Sequence, residues 1–225
     1  MRRCHRGSFF LAGRVFTVAQ QKGGAGKTTL VAHLAVFWSG LGRSVAVVDI
    51  DPQGSLSRWV EARRRTRPDN GDIGFTFSQI TGWRLAGEAE RLARDHEVVL
   101  IDSPPHAATE ARIAVRAATL VIVPVQPSPM DLWATQPTLE LAMSERRPAL
   151  LVVNRMPSRA RLAAEMTEKL GALGIGVAAA TLGNRVAFAE SLADGAGVSE
   201  SEAGSAAAAE IAAVAEEIWA RAEQT

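Results

Sequence analysis

Hydrophobic and polar positions are arranged in blocks along this chain. Short, uninterrupted apolar runs occur at 45–48 (Val-Ala-Val-Val), 98–101 (Val-Val-Leu-Ile) and 120–123 (Leu-Val-Ile-Val). Between them, apolar residues recur at the spacing that is typical of amphipathic helices. Continuous apolar runs indicate strands that are covered on both faces. Strands that alternate with helices in this way form βαβ units, so the pattern predicts a parallel sheet.

The same pattern locates the individual elements. Strands are predicted over 14–19, 44–50, 73–77, 97–101, 120–125, 149–153 and 177–181. Helices are predicted over 28–39, 55–65, 84–94, 109–117, 130–144, 159–173 and 205–222. The fold class that follows is α/β, with a doubly wound, mostly parallel sheet and helices on both faces.

Length and composition limit the possible classes of protein. The 225 residues are enough for one α/β domain, which we place at 14–225. Residues 1–13 form either a disordered extension or a segment that arises from the choice of start codon. No apolar run approaches the roughly 18 residues of a membrane-spanning helix, which predicts a cytoplasmic protein. The single cysteine, Cys4, excludes a disulfide within the chain and a cysteine-ligated cluster.

Charge is unevenly distributed although the net charge is only +1. Residues 190–225 contain eight acidic residues and one basic residue, so the remainder of the chain is strongly basic. A basic body is compatible with nucleic acid on its surface, and equally with an ordinary arginine-rich surface. Lysine is rare in this chain and occurs only at positions 22, 27 and 169.

A glycine-rich loop that contains two of those lysines follows the first predicted strand. It reads Lys22-Gly23-Gly24-Ala25-Gly26-Lys27-Thr28-Thr29. Glycines allow the backbone to turn several N–H groups toward one point, and the following helix adds the positive end of its dipole. The loop is therefore suited to phosphate, with Lys27 for the β- and γ-phosphates and the Thr28 hydroxyl for Mg²⁺. Gln21 stands where a standard phosphate loop has its first glycine.

Two further strands end in carboxylates. Asp49 and Asp51 follow the second predicted strand, and Asp102 follows the fourth. Carboxylates beside a phosphate loop can hold Mg²⁺ or orient an attacking water, and such residues can also cap turns. Pro104 and Pro105 stiffen the segment after Asp102.

These motifs together resemble the ParA/MinD family of deviant Walker A ATPases, most closely its short plasmid-partition ParA proteins. The resemblance also includes Asp51-Pro52-Gln53, the segment from Pro124 to Trp133, and Val152-Val153-Asn154-Arg155. It implies a Mg²⁺-dependent ATPase that forms a homodimer with ATP sandwiched between two subunits.

The resemblance also implies a role for individual residues. Lys22 reaches the nucleotide of the partner subunit, Lys27 binds phosphate in its own subunit, and Asp51 positions the attacking water. Mg²⁺ is held by Thr28 and by Asp102, the latter directly or through water, and 127–133 contributes to the interface. The residues that it implies for nucleotide binding are Gly23, Gly24, Ala25, Gly26, Lys27, Thr28 and Thr29, with Asn154 at the adenine.

Within the family, the nitrogenase iron proteins are excluded because they need two cysteines per chain and this chain has only Cys4. The acidic end of the last predicted helix argues against the membrane helix of MinD proteins. Non-specific DNA binding is the remaining implication. Its candidate residues are Arg155, Arg159, Arg161, Lys169 and Arg185. The run Arg63-Arg64-Arg65-x-Arg67 is another candidate, although basic residues at the end of a helix also stabilise the helix dipole.

The function that follows is plasmid or chromosome partition on the nucleoid, with a ParB-type partner that stimulates hydrolysis. Two alternatives stay open, and a third is less favoured. The first is positioning of a protein cargo, such as a microcompartment, a chemoreceptor cluster or the cellulose-export machinery. The second is a nucleotide-gated scaffold with negligible turnover, and the third is a small-molecule enzyme of the ligase type. Lys22 and the Asp51-Pro52-Gln53 segment favour the dimerising branch over the third.

Overall fold

A parallel sheet forms the centre of the molecule. The computed structural model describes residues 13–67, 72–105, 108–157, 168, 170–171 and 174–225. Within them, the strands are β1 (Arg14–Val18), β2 (Val45–Asp49), β3 (Thr76–Gln79), β4 (Val98–Asp102), β5 (Leu120–Val125), β6 (Ala149–Val153) and β7 (Gly176–Val177). Their order is β3-β2-β4-β1-β5-β6-β7, and every pair of neighbours is parallel.

The described helices lie between these strands and after the last of them. They are α1 (Lys27–Gly40), α2 (Ser55–Thr66), α3 (Leu85–Asp95), α4 (Ala108–Ala117), α5 (Pro129–Ser144), α6 (Ala187–Ala193), α7 (Val198–Ser201) and α8 (Ala206–Glu223). A short 3₁₀ turn, Gly82–Arg84, precedes α3. In this part of the chain, no helix combines the length and the apolar character that crossing a membrane requires.

Helices cover both faces of the sheet. On one face, α1 packs against α2, α6, α7 and α8 around a core that includes Phe16, Trp38 and Leu100. On the other face, α3 contacts α4 and α4 contacts α5, over cores that include Val99 and Val123. The central strands β1, β2, β4 and β5 are almost entirely buried, which explains their continuous apolar sequence.

The predicted fold class is confirmed, and most strands lie within a residue or two of their predicted bounds. The prediction was less accurate at the two edge strands. β3 occupies Thr76–Gln79 rather than 73–77, because an edge strand is only partly buried and lacks a continuous apolar run. β7 covers only Gly176–Val177 rather than 177–181, because the backbone N–H groups of Ala179 and Ala180 donate to Glu217 instead of to a strand.

The helices differ from the predicted ones in part. Helices α6 and α7 were not predicted, since they are short and lie among small and polar residues. Most of the helix predicted over 159–173 lies outside the described residues, and so does nearly all of the N-terminal segment 1–13. The closing helix is present as α8, with Ser205 as its cap: the Ser205 hydroxyl accepts a hydrogen bond from the Ala208 N–H.

Trp219 attaches α8 to the body of the protein. Its ring meets Phe16 and Trp38, each at 6.5 Å between ring centroids, and the guanidinium groups of Arg14 and Arg43 lie 4.1 and 3.6 Å from its centroid. Cation–π contacts of this kind favour a partly buried tryptophan over an exposed one. The aromatic residue near the acidic end of α8 therefore packs against the fold.

His33 joins α1 to α6 and α7 in the core. One ring nitrogen, Nε2, lies 3.1 Å from the Phe188 carbonyl, and Nδ1 accepts from the Val198 N–H at 3.3 Å. The neutral tautomer with a proton on Nε2 satisfies both contacts. Burial lowers the pKa of His33 from 6.5 to about 4, against the smaller effect of the Phe188 carbonyl.

We expect this histidine to make folding stability depend on pH. Since the unfolded chain takes up the proton near pH 6.5 and the folded chain only near pH 4, stability falls as the pH drops between these values. From pH 7.5 to pH 5, the contribution lost is about 2 kcal/mol. Because other buried groups titrate in this range, the quantity to measure is the difference in urea unfolding free energy between wild type and His33→Gln. A difference that does not change with pH would contradict the prediction.

Candidate nucleotide site

The site is built where neighbouring central strands end at one edge of the sheet. In the strand register, Val18 of β1 is level with Asp102 of β4, and Asp49 of β2 is also level with Asp102. The glycine-rich loop continues directly from β1 and leads into α1 at Lys27. The order of the strands therefore brings the loop and the two carboxylate-bearing strand ends together, as is usual for ligand sites in parallel sheets.

Glycines shape the loop because two positions have a left-handed backbone. Gly24 has φ 76° and Gly26 has φ 96°. A Cβ at Gly26 would lie 2.3 Å from Asn154 Nδ2. That amide donates to the Ala25 carbonyl at 2.9 Å, and Gln126 Nε2 donates to the Gly24 carbonyl at 3.1 Å. Side chains that follow β5 and β6 thus support the loop from behind.

Lys27, Thr28 and Asp102 form a close group below the loop. Thr28 Oγ1 donates to Asp102 Oδ2 at 2.6 Å. Burial raises the pKa of Asp102 to about 7, although the Thr28 hydrogen bond and the charge of Lys27 act in the opposite direction. Burial also lowers the pKa of Lys27, whose ammonium is attracted by Asp102 and Asp51. The three side chains combine a cation, a hydroxyl and a carboxylate at the base of the loop.

This group fits a hydrated magnesium ion. Among the residues that the structure describes, Asp102 Oδ1 is a fully buried side-chain oxygen without a hydrogen-bond partner. Buried oxygens are normally satisfied, so an unpartnered one calls for a donor. Water bound to Mg²⁺ is such a donor, and Mg²⁺ prefers oxygen ligands and retains several waters. Thr28 and Asp102 therefore have the chemistry of a magnesium site completed by phosphate.

The two aspartates at the end of β2, Asp49 within it and Asp51 just after it, have different roles. Asp49 is fully buried, and its Oδ2 accepts from the Ser57 N–H at 3.0 Å and from the Ser57 hydroxyl at 2.7 Å. Its other oxygen accepts from the Asp51 N–H at 3.0 Å. Asp49 thus braces the turn before α2, and the interpretation of both aspartates as facing Mg²⁺ or water is wrong for this one. Asp51 is partly exposed and lines the cavity beside the loop.

A cavity of about 660 Å³ lies over the loop. Gly24, Gly26, Thr28 and Thr29 form its floor, and Pro105 contributes to its wall. Arg58 and Arg155 introduce two further cations, while Trp59 and Leu192 make one side apolar. The volume suits a small ligand with a charged and an apolar part. Arg155, a candidate for DNA binding, thus borders this cavity.

The remaining candidates for DNA binding are placed differently. Arg185 forms a bidentate ion pair with Glu210, with Nη2 and Oε1 2.7 Å apart, and its side chain is 42% exposed. Arg159, Arg161 and Lys169 lie outside the described residues. His106, a residue near the predicted site, lies outside them too.

The arginine run at the end of α2 is partly structural. Arg63 is buried, and its guanidinium makes a bidentate contact with Glu200 at 2.8 Å and donates to the carbonyls of Ile73 and Gly195. Arg67 pairs with the same Glu200. Arg63 is therefore unavailable to DNA, and its partners are side-chain and backbone oxygens of other elements rather than the dipole of its own helix.

The signature position Lys22 is paired within its own chain. Its Nζ lies 2.8 Å from Oδ2 of Asp131, a buried residue in the first turn of α5. Asp131 lies inside the segment that the sequence suggests as interface, but its contact with Lys22 was not predicted. The spacing Ser128-x-x-Asp131 is a signal that places Asp131 in a helix start, since the Ser128 hydroxyl accepts from the Asp131 N–H.

Comparisons with known proteins agree with this geometry. The family model of the CobQ/CobB/MinD/ParA nucleotide binding domain matches residues 16–198. The maintenance of carboxysome distribution protein A of Halothiobacillus neapolitanus is 30% identical over 197 residues, which cover 83% of this chain and 88% of that protein. The chromosome-partitioning ATPase Soj of Thermus thermophilus is 34% identical over 50% of this chain and 55% of its own length.

A solved structure has the same fold. A variant of McdA from Cyanothece, in complex with ATP, superposes with a TM-score of 0.74 at 17% identity, covering 93% of this chain and 97% of that one. The family model runs from within β1 to the first residue of α7, which includes the loop, both carboxylate-bearing strand ends and Asn154. From this match and the site that it encloses, we conclude that the chain belongs to the CobQ/CobB/MinD/ParA family of nucleotide-binding domains.

Proposed function

We propose that this protein is a Mg²⁺-dependent ATPase that dimerises around ATP and uses the cycle to position a cargo. The observation that carries the proposal is the unpartnered Asp102 Oδ1 beside the Thr28 hydroxyl, at the base of a phosphate loop that opens into the 660 Å³ cavity. A purely structural carboxylate would have both oxygens satisfied, as Asp49 does.

Each residue of the site has a defined task in hydrolysis. Lys27 and the loop N–H groups bind phosphate oxygens, and Thr28 and Asp102 hold the metal. When bound, Mg²⁺ neutralises the negative charge of the phosphates. Asp51 orients the attacking water, and its Oδ1 accepts from the Gln53 N–H at 2.9 Å, which fixes the carboxylate at the cavity wall. Lys22 supplies the additional charge from the second subunit, since phosphoryl transfer depends on electrostatic stabilisation.

A protein cargo is the first candidate. The carboxysome distribution protein of Halothiobacillus neapolitanus matches 83% of this chain, whereas the chromosome-partitioning ATPase of Thermus thermophilus matches 50%. Of these two relatives, the one that matches more of the chain is the carboxysome distribution protein, and this supports positioning of a protein microcompartment as the first candidate. An adaptor bound to the cargo would stimulate hydrolysis, in the role that a ParB-type protein has in partition.

Partition of DNA is the second candidate, and both candidates require the nucleoid as a track. The ATP-bound dimer would bind DNA without sequence preference, because contacts between arginine and phosphate need no base contacts. Among the candidates for DNA binding, Arg185 is exposed and lies beside α8, where it forms an ion pair with Glu210. A cargo test separates the two functions: loss of even microcompartment spacing on deletion of the gene supports the first, and plasmid loss supports the second.

The DNA-binding expectation is tested with a random-sequence duplex. We expect binding with ATP, none with ADP or without nucleotide, and a steep loss as salt increases. Arg185→Glu should weaken binding about tenfold for every sequence, since it reverses one phosphate contact. Arg91→Glu is the matched control, because Arg91 also pairs with a glutamate but lies on α3, on the opposite face of the sheet. Equal affinity in all nucleotide states would contradict the ATP-dependent cycle.

A further inference from the structure

The ion pair between Lys22 and Asp131 is made within one subunit, although Lys22 is the residue proposed to act on the other. The Asp131 side chain is 6% exposed and that of Lys22 is 36% exposed. The Ser128 hydroxyl also donates to Asp131 Oδ2. Among the described residues, Lys22 is the only cation within salt-bridge distance of this carboxylate. The pair thus joins a nearly buried anion to a cation at the rim of the loop.

A network of buried polar groups fixes this anion relative to the loop. Gln20, two residues after β1, donates to Thr135 Oγ1 at 2.9 Å and accepts from Thr138 Oγ1 at 3.2 Å. The Thr135 hydroxyl donates in turn to the Asp131 carbonyl at 2.7 Å. The first turns of α5 and the segment that leads into the loop are therefore held together. Such a connection distinguishes the pair from a chance contact between two surface side chains.

We propose that Asp131 is a positioning residue that retains Lys22 in its own subunit until a second subunit presents nucleotide phosphates. The inference rests on the proposed ATP-bound dimer. A lysine that is neutralised at 2.8 Å by a buried carboxylate cannot supply its charge elsewhere without leaving it. If Lys22 leaves, the nearly buried carboxylate of Asp131 has no cation beside it, which is energetically unfavourable. Only a strong anion, such as a triphosphate, compensates for this loss.

The consequence is an exchange of one anion for another. In the single subunit, Lys22 binds Asp131; in the dimer, it binds the phosphates of the partner. The carboxylate thus makes dimer formation depend more strongly on the bound nucleotide. The surface beside it is suited to contact with a second subunit, since Met130 and Trp133 flank Asp131 on α5 and are 65% and 69% exposed.

Asp131→Asn tests the proposal because it removes the charge and keeps the shape. Dimer formation is measured by sedimentation velocity with Mg²⁺ and a non-hydrolysable ATP analogue. We expect Asp131→Asn to dimerise at about tenfold lower protein concentration than wild type, since two partly exposed ion pairs, one in each subunit, no longer oppose release of Lys22. The double variant Lys22→Ala/Asp131→Asn should match Lys22→Ala alone, because Asp131 acts through Lys22. Glu140→Gln, a change at an exposed carboxylate on the same helix, should match wild type.

The outcomes separate this inference from the proposed function. If wild type dimerises and Asp131→Asn dimerises equally or more weakly, the retention of Lys22 is refuted and the ATP dimer stands. If wild type does not dimerise with the analogue, the proposed dimer is refuted and the inference with it.

A second measurement does not depend on dimers. Acylation of Lys22 in the nucleotide-free protein, followed by mass spectrometry, should be several-fold faster in Asp131→Asn, and the rarity of lysine makes the modified site easy to assign. Unchanged acylation would mean that the pair does not hold Lys22, which refutes the inference.

Discussion

Arg63→Ala should unfold at a much lower urea concentration than wild type, with a loss of about 3 kcal/mol in the free energy of unfolding. The side chain is 2% exposed and donates to Glu200 and to the carbonyls of Ile73 and Gly195. Its removal leaves buried oxygens without a donor and opens a cavity where α2 meets α7. For a chain of this length, the change corresponds to a fall in Tm of about 6–12 °C.

Arg67→Ala is the matched control because Arg67 pairs with the same Glu200 from a more exposed position. We expect it to cost less than about 1 kcal/mol, as exposed ion pairs contribute little. The comparison separates burial from charge, since both variants remove one arginine that contacts one glutamate. Equal losses in the two variants would mean that the buried contacts of Arg63 contribute nothing beyond its charge.

Lys27→Ala should lower the rate of ATP hydrolysis by at least about 100-fold, the typical effect of removing one group that stabilises transition-state charge. Lys27 is 7% exposed and lies at the base of the loop, where none of the other lysine and arginine side chains that the structure describes is buried to a similar degree. Turnover is measured by phosphate release under saturating Mg²⁺-ATP. Lys27→Arg should also be strongly impaired, because the larger, forked guanidinium does not fit a site shaped for a thin lysine stem.

The stability of the Lys27 variants distinguishes a loss of catalysis from a loss of folding. In the nucleotide-free protein, burial lowers the pKa of Lys27, so keeping its ammonium group charged costs free energy. We therefore expect Lys27→Ala to unfold, in the absence of nucleotide, at a urea concentration no lower than wild type. Hydrolysis equal to that of wild type would refute the enzymatic proposal, whereas a large loss of stability would point to a structural role for Lys27.

The fold was predictable from the sequence because its central strands are buried on both faces. β4 and β5 show this most clearly, since every residue of either strand is buried. The loop was predictable for a local reason as well: left-handed φ angles, as at Gly24 and Gly26, strongly favour glycine. Apolar runs and glycine positions are properties of neighbouring residues along the chain, so the sequence alone shows them.

Contacts between distant segments were not predictable in the same way. Asp49 and Asp51 have the same chemistry and stand two positions apart, yet only the first is enclosed by Ser57 and the turn before α2. Arg63 lies in a run of arginines, and its place in the helix directs it into the core toward Glu200, 137 residues away. The pairing of Lys22 with Asp131 depends on how α5 packs on β5 and meets the segment that follows β1. In each case the partner is set by tertiary packing, which residue type alone does not specify.

The position of α8 has a consequence for synthesis of the protein. The helix that begins with Lys27 and Thr28 is buried along most of its length, and α8 covers it through Ile211, Val214 and Ile218. On the ribosome, the loop and α1 emerge about 180 residues before α8 does. Until then α1 has one face exposed to water. The growing chain should therefore acquire nucleotide affinity late, when the segment around Trp219 has left the exit tunnel.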